Sequence, residues 1–534
     1  MAKQLSYQPL ANFGVNGLNT QSNPNSLDPS YLTSADNIVV RESGRISFRK
    51  GLKQKVVPTG TAIGSMVEHN DSGTNKIFAS HGTSIYTIDF TSPNAAFPSS
   101  GADVKHTVAN STGDWQFVNF NNRLHCFHTG VLPQRYDGAA SAGSKWAAHA
   151  TDPASITTLF DPSCGMGFYG KVWAGGVTEA PDVVFYSVLL DGDDWTGTGS
   201  GYIDLKTVWG TDEIVAIAPF FGKLVIFGKN NIVIYNDPHS GGTLSLNEVI
   251  KGVGLVSRDT VQAIGDDLVF LSATGLRSLA RTTEKDKLPM QDLSLNIKDT
   301  LIRNISTSNE VIKSVYLENE GIYILTFTNK NITYVFDFKH ATPQQTPRIT
   351  TWTFGNDREP ASMIQTELYS GLLVGQKDGS IAGYEGYFDI DLAWVSSAAS
   401  YTNAAITADI SSVWIPMGET MSASILKKMI LVLEGGSGAV LGLRWYKDFS
   451  INSSTTTEID LAPITTGAIA LWGASTSLYG KAGITYTPVF GLQEYQTALT
   501  GSAKHLKLNM SIVSNGFDTS IQDLSLISLQ GKIR

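Results

Sequence analysis

The chain of 534 residues contains only two cysteines, Cys126 and Cys164, and carries little charge. Two cysteines exclude a disulfide scaffold and argue against a structural zinc site. Charged residues make up 16% of the sequence, against roughly 25% in an average soluble domain. Acidic residues (48) outnumber Lys and Arg (39), and this balance does not favour a protein that grips duplex DNA through clustered cations.

Long apolar runs are also absent from the sequence. No run approaches the roughly 18 residues that cross a bilayer, and the N-terminal MAKQLSYQPLANFG has no signal-peptide hydrophobic region. We therefore expect neither membrane insertion nor secretion. Glycine is abundant, with 51 residues, and helix-forming stretches are scarce. This composition predicts an all-β fold.

A repeat of about 49 residues runs through the middle of the sequence. Each of seven copies has an apolar residue at the same place in its first β-rich run: Ile77, Leu124, Val172, Leu224, Leu268, Ile322 and Leu372. Six copies have a tyrosine at the same place in the following run: Tyr86, Tyr136, Tyr186, Tyr235, Tyr334 and Tyr384. The fifth copy has Leu279 nearby instead.

Units of about four short strands at this period are typical of the blades of a β-propeller. We predict a propeller of about seven blades, with a range of six to eight, over residues 61–389. A run of unrelated hairpins in β-sandwiches is the alternative. The six tyrosines are predicted structural blade positions that pack between adjacent sheets, and stacking on a base or a sugar is the alternative role.

The two ends of the chain lie outside the repeat. Residues 1–60 are predicted to form an N-terminal arm and hairpin: the Asn/Gly/Pro-rich segment 13–33 suits an extended arm, and 37–52 suits a β-hairpin. The hairpin either supplies a strand that closes the propeller or lies on a neighbouring subunit. Strand-like segments between Gly/Ser/Thr loops predict a C-terminal β-sandwich over 390–534. The best helix candidate is 294–306.

The acidic triplet Asp191, Asp193 and Asp194 has oxygen ligands at calcium-like spacing. It lacks the bidentate acid that ends an EF-hand loop. A polar turn anchored by Trp195 is therefore the favoured interpretation.

Two other motifs are also better explained without a ligand. His125, Cys126 and His128 offer soft ligands, but neighbouring side chains on a strand point to opposite faces. The glycine-rich stretch 435–438 lacks the Lys-Ser/Thr pair of a phosphate loop and predicts a hairpin turn. No Ser, Cys or His stands in a recognisable nucleophile setting. We expect no catalytic, metal-binding or cofactor-binding residues, no cofactor and no enzymatic activity.

Several segments resemble one protein family. The N-terminal pieces are Gly17–Gln21, Ala35–Ile38, Gly44–Ile46 and Arg49–Gly51, and the later pieces are residues 120–138, 186–205, 217–235 and 253–279. Their order along the chain is similar to that in tail nozzle or tail hub proteins of short-tailed bacteriophages (podoviruses). These proteins are also called tail tubular protein B or DNA-stabilisation proteins. The resemblance covers about residues 12–390 and, more loosely, the C-terminal part.

The resemblance implies a structural protein of the virion tail, made and assembled in the cytoplasm of the host bacterium. Family members form a homohexameric ring below the portal and tail adaptor, with tail fibres or tip proteins nearby. The ring continues the DNA channel, retains packaged double-stranded DNA and opens for its ejection. A net charge of −9 per copy suits a lumen through which DNA passes without specific binding. The resemblance assigns no residue to a channel gate.

Two other classes of function remain open at this point. One is a tail-tip adhesin or glycosidase that binds carbohydrate on a propeller face, where carboxylates from central loops converge. The other is a host-encoded propeller that serves as an interaction scaffold.

Overall fold

The structure is a computed structural model that describes most of the chain. The described residues are 5–41, 44–57, 59–71, 73–88, 90, 104–236, 244–280, 292–306, 310–343, 346–355, 357–368, 371–384, 390–395, 400–418, 423–434, 439–460, 492–514 and 519–529. Two predicted turns fall partly or wholly outside this set, because residues 42, 43 and 435–438 are not among the described residues.

The N-terminal strands are β1 (Leu5–Pro9), β2 (Gly17–Leu18), β3 (Tyr31–Asp36), β4 (Ile38–Val40), β5 (Ile46–Phe48) and β6 (Leu52–Val56). The next strands are β7 (Ile63–Asp71), β8 (Thr74–His81), β9 (Ser84–Ile88), β10 (Lys105–Thr107), β11 (Gln116–Phe120), β12 (Arg123–Phe127), β13 (Gln134–Asp137), β14 (Trp146–Ala148), β15 (Cys164–Phe168), β16 (Lys171–Gly175), β17 (Val183–Tyr186), β18 (Gly201–Asp204), β19 (Ile214–Phe220), β20 (Lys223–Gly228), β21 (Asn231–Asn236) and β22 (Ser245–Lys251).

The remaining central strands are β23 (Gln262–Ile264), β24 (Asp267–Ser272), β25 (Gly275–Ser278), β26 (Ile312–Leu317), β27 (Ile322–Phe327), β28 (Ile332–Ala341), β29 (Pro347–Trp352), β30 (Pro360–Thr366), β31 (Gly371–Gln376) and β32 (Ile381–Tyr384). The C-terminal strands are β33 (Ile390–Val395), β34 (Ser400–Ala405), β35 (Thr407–Ser412), β36 (Ile415–Pro416), β37 (Ser424–Glu434), β38 (Val440–Lys447), β39 (Thr457–Asp460), β40 (Leu492–Ala498), β41 (Ser502–Ala503), β42 (His505–Val513) and β43 (Ser520–Leu529). The helices are α1 (Lys206–Trp209) and α2 (Lys298–Ile305), and α2 lies within the predicted helix.

Successive antiparallel groups of strands form a propeller. The groups are blade 1 (β7–β10), blade 2 (β11–β14), blade 3 (β15–β18), blade 4 (β19–β22), blade 5 (β23–β25), blade 6 (β26–β29) and blade 7 (β30–β32 with β6). Six of these groups belong to small sheets, and blade 6 is continuous with a sheet of 11 strands. The first strand of a blade lies innermost, next to the first strand of a neighbouring blade. The predicted all-β propeller of six to eight blades is confirmed.

Both sequence markers occupy fixed places in the blades. The seven apolar markers all lie on the second strand and are buried. The six tyrosines all lie on the third strand, and in blades 2, 4 and 7 the two markers pair directly, as Leu124 does with Tyr136. In these three blades the two paired side chains lie on the same face of the sheet.

The tyrosines pack between sheets, and the hydroxyls of Tyr136, Tyr334 and Tyr384 form hydrogen bonds. All are buried except Tyr186, which is half-buried. The Tyr136 hydroxyl donates to Asp71 Oδ2 at 3.1 Å. In four blades a lysine Nζ lies 4.5 to 5.9 Å from the centre of the tyrosine ring, a cation–π geometry. That these tyrosines are structural blade positions stays a prediction.

Strand β6 completes blade 7 and so closes the ring. It pairs antiparallel with β32, with Val56 opposite Ile381 and Leu52 opposite Tyr384. Val56 is fully buried among side chains of blades 1 and 7. The strand that closes the ring therefore follows the predicted hairpin directly in sequence. The hairpin itself, β4 and β5, pairs with β43 instead.

The N-terminal segment is not the extended arm that its composition predicts. Strand β1 pairs with β43, β3 pairs with β35, and Phe13, Leu18 and Leu32 are buried in the core of the C-terminal part. Leu10 is buried in the same core, whereas Leu5 and Tyr7 of β1 are exposed. The segment's polar side chains accept hydrogen bonds from backbone N–H groups of the turns. Asn19 Oδ1, for example, accepts from the N–H groups of Gln21 and Ser22.

Two sheets pack face to face in the C-terminal part. One has the order β4-β5-β43-β37-β40, and the other includes β2-β3-β35-β42-β38-β39. Leu431, Leu441, Leu508, Met510 and Leu526 are fully buried in the core that includes both sheets. The sandwich differs from the prediction in its limits, because it includes N-terminal strands and because β33 and β34 extend the sheet of blade 7.

A buried polar cluster joins the sandwich to the propeller. Arg49, only 2% exposed, donates from Nη1 and Nη2 to the two carboxylate oxygens of Asp391, both at 3.0 Å, and from Nε to Asn37 Oδ1 at 3.1 Å. The Asn37 amide donates to Thr407 O, and its Oδ1 accepts from the backbone N–H of Thr353. The side chains of Asn37 and Arg49 thus connect the N-terminal segment to Thr353, which follows blade 6, and to the C-terminal strands β33 and β35.

We expect Tyr136→Phe to lower the free energy of unfolding by about 1–2 kcal/mol, because Asp71 loses a buried hydrogen-bond donor. Tyr235→Phe is the matched control, since no partner of the Tyr235 hydroxyl is found among the described residues, and it should change stability by less than about 0.5 kcal/mol. Urea denaturation measures both. Equal effects would contradict the role of the Asp71 contact.

We expect Arg49→Lys to lower the free energy of unfolding by about 3 kcal/mol or more, because lysine cannot satisfy both Asp391 oxygens and Asn37 at once. Arg444 is exposed and donates only to Thr456 Oγ1 among the described residues. Arg444→Lys should therefore stay within about 0.5 kcal/mol of the wild type. The same denaturation experiment measures both variants. If Arg49→Lys lowers the free energy of unfolding only slightly, the junction does not depend on the paired hydrogen bonds from Arg49 to Asp391.

Candidate functional site

The two ends of the propeller axis differ in chemistry. At one end, segments that precede the first strands converge in a group of charged residues. At the other end, the hairpins that join first strands to second strands surround an open cavity. We call this second side of the propeller the hairpin face.

The charged group, here called the axial ion network, consists of Asp114, Arg258, Asp259 and Lys313. Arg258 donates to Asp114 Oδ1 at 2.6 Å, to Asp259 Oδ1 at 3.1 Å and to the backbone oxygen of Ser163 at 2.7 Å. Lys313 Nζ donates to Asp114 Oδ1 at 2.7 Å and to Asp259 Oδ2 at 2.6 Å. These residues belong to blades 2, 3, 5 and 6 or to the segments just before them, so the network links blades across the axis.

Three groups of the network, Arg258, Asp259 and Lys313, are held in their charged forms by their neighbours. Burial alone would raise the pKa of Asp259, but Arg258 and Lys313 outweigh it and hold that pKa well below its usual range. Burial alone would lower the pKa of Lys313, and Asp259 and Asp114 together raise it. The Lys313 side chain is 8% exposed and that of Arg258 is 10% exposed. The side chains of Asp259 and Asp114 are 27% and 61% exposed, so separating the blades here would leave the two buried cations without their carboxylate partners.

The cavity on the hairpin face has a volume of about 960 Å³. Residues from the first-to-second-strand hairpins of blades 1, 2, 6 and 7 line it. Seven of the thirteen lining residues are amides: Asn70, Asn75, Asn119, Asn121, Asn122, Asn319 and Gln365.

Two charged residues of the cavity wall, Glu68 and Arg123, are bound within the protein, whereas the Glu367 side chain is exposed. Glu68 Oε1 accepts from Asn75 Nδ2 at 3.0 Å, and Glu68 Oε2 accepts from the backbone N–H of Glu367 at 2.9 Å. Arg123 donates to Asp137 Oδ2 at 3.0 Å. Burial lowers the pKa of His69, so this ring is neutral at pH 7.

The hairpin tips of blades 2, 3 and 4 share a four-residue pattern. The three tips are Phe120-Asn121-Asn122-Arg123, Phe168-Tyr169-Gly170-Lys171 and Phe220-Phe221-Gly222-Lys223. Both central residues of each tip have positive φ, including Tyr169 at 50° and Phe221 at 47°. Type I′ hairpins require this geometry and favour Asn and Gly. These tips were not among the predicted sites, although their signal, Phe-x-x-Lys/Arg at the start of the second strand, is visible in three copies of the repeat.

The acidic triplet forms the polar turn that the sequence favoured. Asp194 Oδ1 accepts from the backbone N–H groups of Thr196 and Gly197, both at 3.0 Å. Asp193 forms ion pairs with Arg123 and Arg135. Trp195 is buried and donates from Nε1 to His149 Nδ1 at 3.0 Å. Arginines and backbone groups therefore occupy the carboxylates that a cation would need.

The residues His125, Cys126 and His128 do not meet. His125 contacts His149 at 3.0 Å, and burial lowers its pKa to about 3. Cys126 packs on the other face of β12, and His128 Nε2 accepts from the backbone N–H of Thr112 at 2.9 Å. Among the described residues, no group of three or more His, Cys, Asp or Glu is arranged to hold a metal ion. No described helix is long and apolar enough to cross a membrane.

Neither the models of known protein families nor the curated proteins contain a match to this chain. The candidate sites are therefore defined by their own geometry.

We expect Lys313→Met to lower the free energy of unfolding by about 3–5 kcal/mol at pH 7, because it leaves two carboxylates facing one arginine. Lys229→Met is the control. It removes the surface pair with Glu213, whose side chains are 56% and 50% exposed, and should change stability by less than about 1 kcal/mol.

The difference between wild type and Lys313→Met should depend on pH. The pKa of Asp259 in the folded state is below its unfolded value, which is about 3.9. Its contribution to stability is therefore complete at neutral pH and is lost as the pH falls below about 4. Denaturation curves from pH 7 to pH 3 test this, and a difference that stays constant to pH 3 would argue against the role of this carboxylate.

Proposed function

We propose that the chain is a structural, non-enzymatic subunit of a bacteriophage tail nozzle or hub. Six copies form a ring below the portal and tail adaptor, in the virion tail. The ring continues the DNA channel, retains the packaged DNA and opens for ejection. The observation that carries the proposal is the place of three N-terminal segments on which the resemblance rests: they lie where the propeller joins the sandwich.

Three of the four N-terminal segments that carry the resemblance contribute to this junction. Asn37 and Arg49 form its buried polar cluster. Gly17 has a φ of 71°, and a Cβ at this position would lie 2.6 Å from the backbone oxygen of Ile349 in blade 6. Only glycine allows the sandwich strand to approach the blade this closely. The resemblance to tail nozzle proteins thus includes a position where packing requires glycine, and this supports the proposal.

The axial ion network supports a channel built between copies. Salt bridges cross the axis of the propeller, so a duplex cannot pass through a single subunit without breaking them. A subunit of a DNA conduit therefore has to line the channel with an outer surface, as wedges around a closed cyclic ring do. A formal charge of −9 per copy suits DNA that slides past such a surface.

Electron microscopy tests the proposal. Class averages of the purified chain, alone and mixed with the portal–adaptor complex, should show a six-fold ring with a central channel wide enough for B-form DNA, roughly 20 Å. A short DNA duplex should not bind tightly at physiological salt. An isolated propeller or a trimeric spike in the presence of the adaptor would refute the ring, and nanomolar duplex binding would refute free passage.

A further inference from the structure

We propose that the hairpin face binds a neutral oligosaccharide, with the amides of the cavity as its hydrogen-bonding groups and the aromatic hairpin tips as its packing surface. This binding function goes beyond the ring and the DNA channel. It requires neither, because a single subunit contains every residue that the argument uses.

The amides match the chemistry of sugar hydroxyls. An amide side chain offers two donors and an acceptor, and a hydroxyl is both donor and acceptor. Asn122 and Asn319 form no side-chain hydrogen bonds to other described residues, so their full capacity is open to a ligand. The cavity volume of about 960 Å³ lies near the upper end of the about 300–1,000 Å³ of small-molecule pockets. It is large enough for more than one sugar unit.

The charges of the cavity argue against an anionic ligand. Arg123 is the one Lys or Arg among the residues that line it, and Asp137 and Asp193 already engage this guanidinium. Phosphate or nucleic acid binding depends on several available cations. A neutral, hydroxyl-rich ligand needs none.

Phe221 carries a backbone strain that its contacts within the protein only partly offset. It has a φ of 47° and remains 66% exposed, although its ring contacts that of Phe220 at a centroid distance of 4.7 Å. Tyr169 has a similar φ of 50°, but its ring packs on Phe168 and its hydroxyl donates to Gly222 O. Bulky residues in the left-handed region are destabilised, and burial does not offset this destabilisation when the ring lies in solvent. An exposed ring at a position that favours asparagine is accounted for by a partner that packs on it, such as the apolar face of a sugar.

A chain of hydrogen bonds connects the cavity to these tips. Asn121, which lines the cavity, donates from Nδ2 to Leu190 O at 2.7 Å. The backbone N–H of Leu190 donates to Gly170 O at 2.6 Å, and the Tyr169 hydroxyl donates to Gly222 O at 2.6 Å. Leu189 and Leu190 are also exposed. The polar cavity therefore continues into an apolar rim, a surface that suits an extended sugar chain.

Binding of short neutral oligosaccharides of glucose, galactose and N-acetylglucosamine tests the proposal by calorimetry on the full chain. We expect at least one series to bind with a dissociation constant of about 1 mM or tighter. A sulfated oligosaccharide and a short DNA duplex serve as anionic probes and should not compete. Absence of binding by every neutral series, or displacement by the anionic probes, would overturn the proposal.

The double variant Asn319→Leu/Gln365→Leu tests the amides. It keeps side-chain size but removes two amide groups from the exposed cavity wall, together with the hydrogen bond from the Glu318 N–H to Gln365 Oε1. Affinity should fall at least about tenfold, and a denaturation curve of the variant checks that its fold is retained. Asn452→Leu/Gln496→Leu makes the same changes at exposed positions of the C-terminal part and should bind like the wild type. Equal affinities of the two double variants would place the ligand elsewhere.

Phe221→Asn separates binding from stability. Asparagine tolerates positive φ, so this variant should have a higher urea midpoint than the wild type while its affinity for the longest bound oligosaccharide falls. A lower midpoint would show that the ring is needed for the fold. Unchanged affinity would remove Phe221 from the binding surface. Ring symmetry by microscopy is a separate readout, so failure of the sugar site leaves the proposed channel function to its own test.

Discussion

The pairing of β6 with β32 is the constraint on which the rest of the architecture depends. A propeller blade buries its faces only against its neighbours, so the ring must be closed by a strand that bridges its first and last units. Here residues 52–56 supply that strand. Because Arg49 lies three residues earlier and binds Asp391, the closure of the ring and the attachment of the sandwich are set by one short stretch of chain. A defect at either place would loosen both.

Much of the propeller could be predicted, because a blade repeats the same packing problem. Leu124 and Tyr136 face each other across two strands, and the equivalent residues recur in other blades. A repeated contact leaves a repeated residue type in the sequence. The N-terminal segment has no such repetition. Its composition indicates turns, but its pairing partners lie far away, as in the 370 residues between Asn37 and Thr407, and a single sequence does not reveal them.

The ion network and the amide-lined cavity were not predicted, because their residues also come from distant parts of the sequence. Asp114 and Lys313 are separated by 199 residues, and the amides of the cavity come from four blades. Asn and Gln in hairpins are ordinary turn residues in each blade taken alone. Their chemistry appears only when the ring brings them to one cavity. The candidate calcium site was easier to judge from the sequence. Asp191, Asp193 and Asp194 are neighbours, so a missing ligand is apparent within a few residues.

The order of the strands also determines when the protein can fold during its synthesis. Strand β6 emerges from the ribosome before blade 1, but Leu52 contacts Asp391, 339 residues later, and Tyr7 of β1 contacts Ser525, 518 residues later. At about 5–20 residues per second, the first of these separations corresponds to roughly 20–70 s of translation. For that time the nascent chain carries unpaired strand edges, which can pair with other chains. Strand β6 is protected once β32 has been made, and β1 only once β43 has been made.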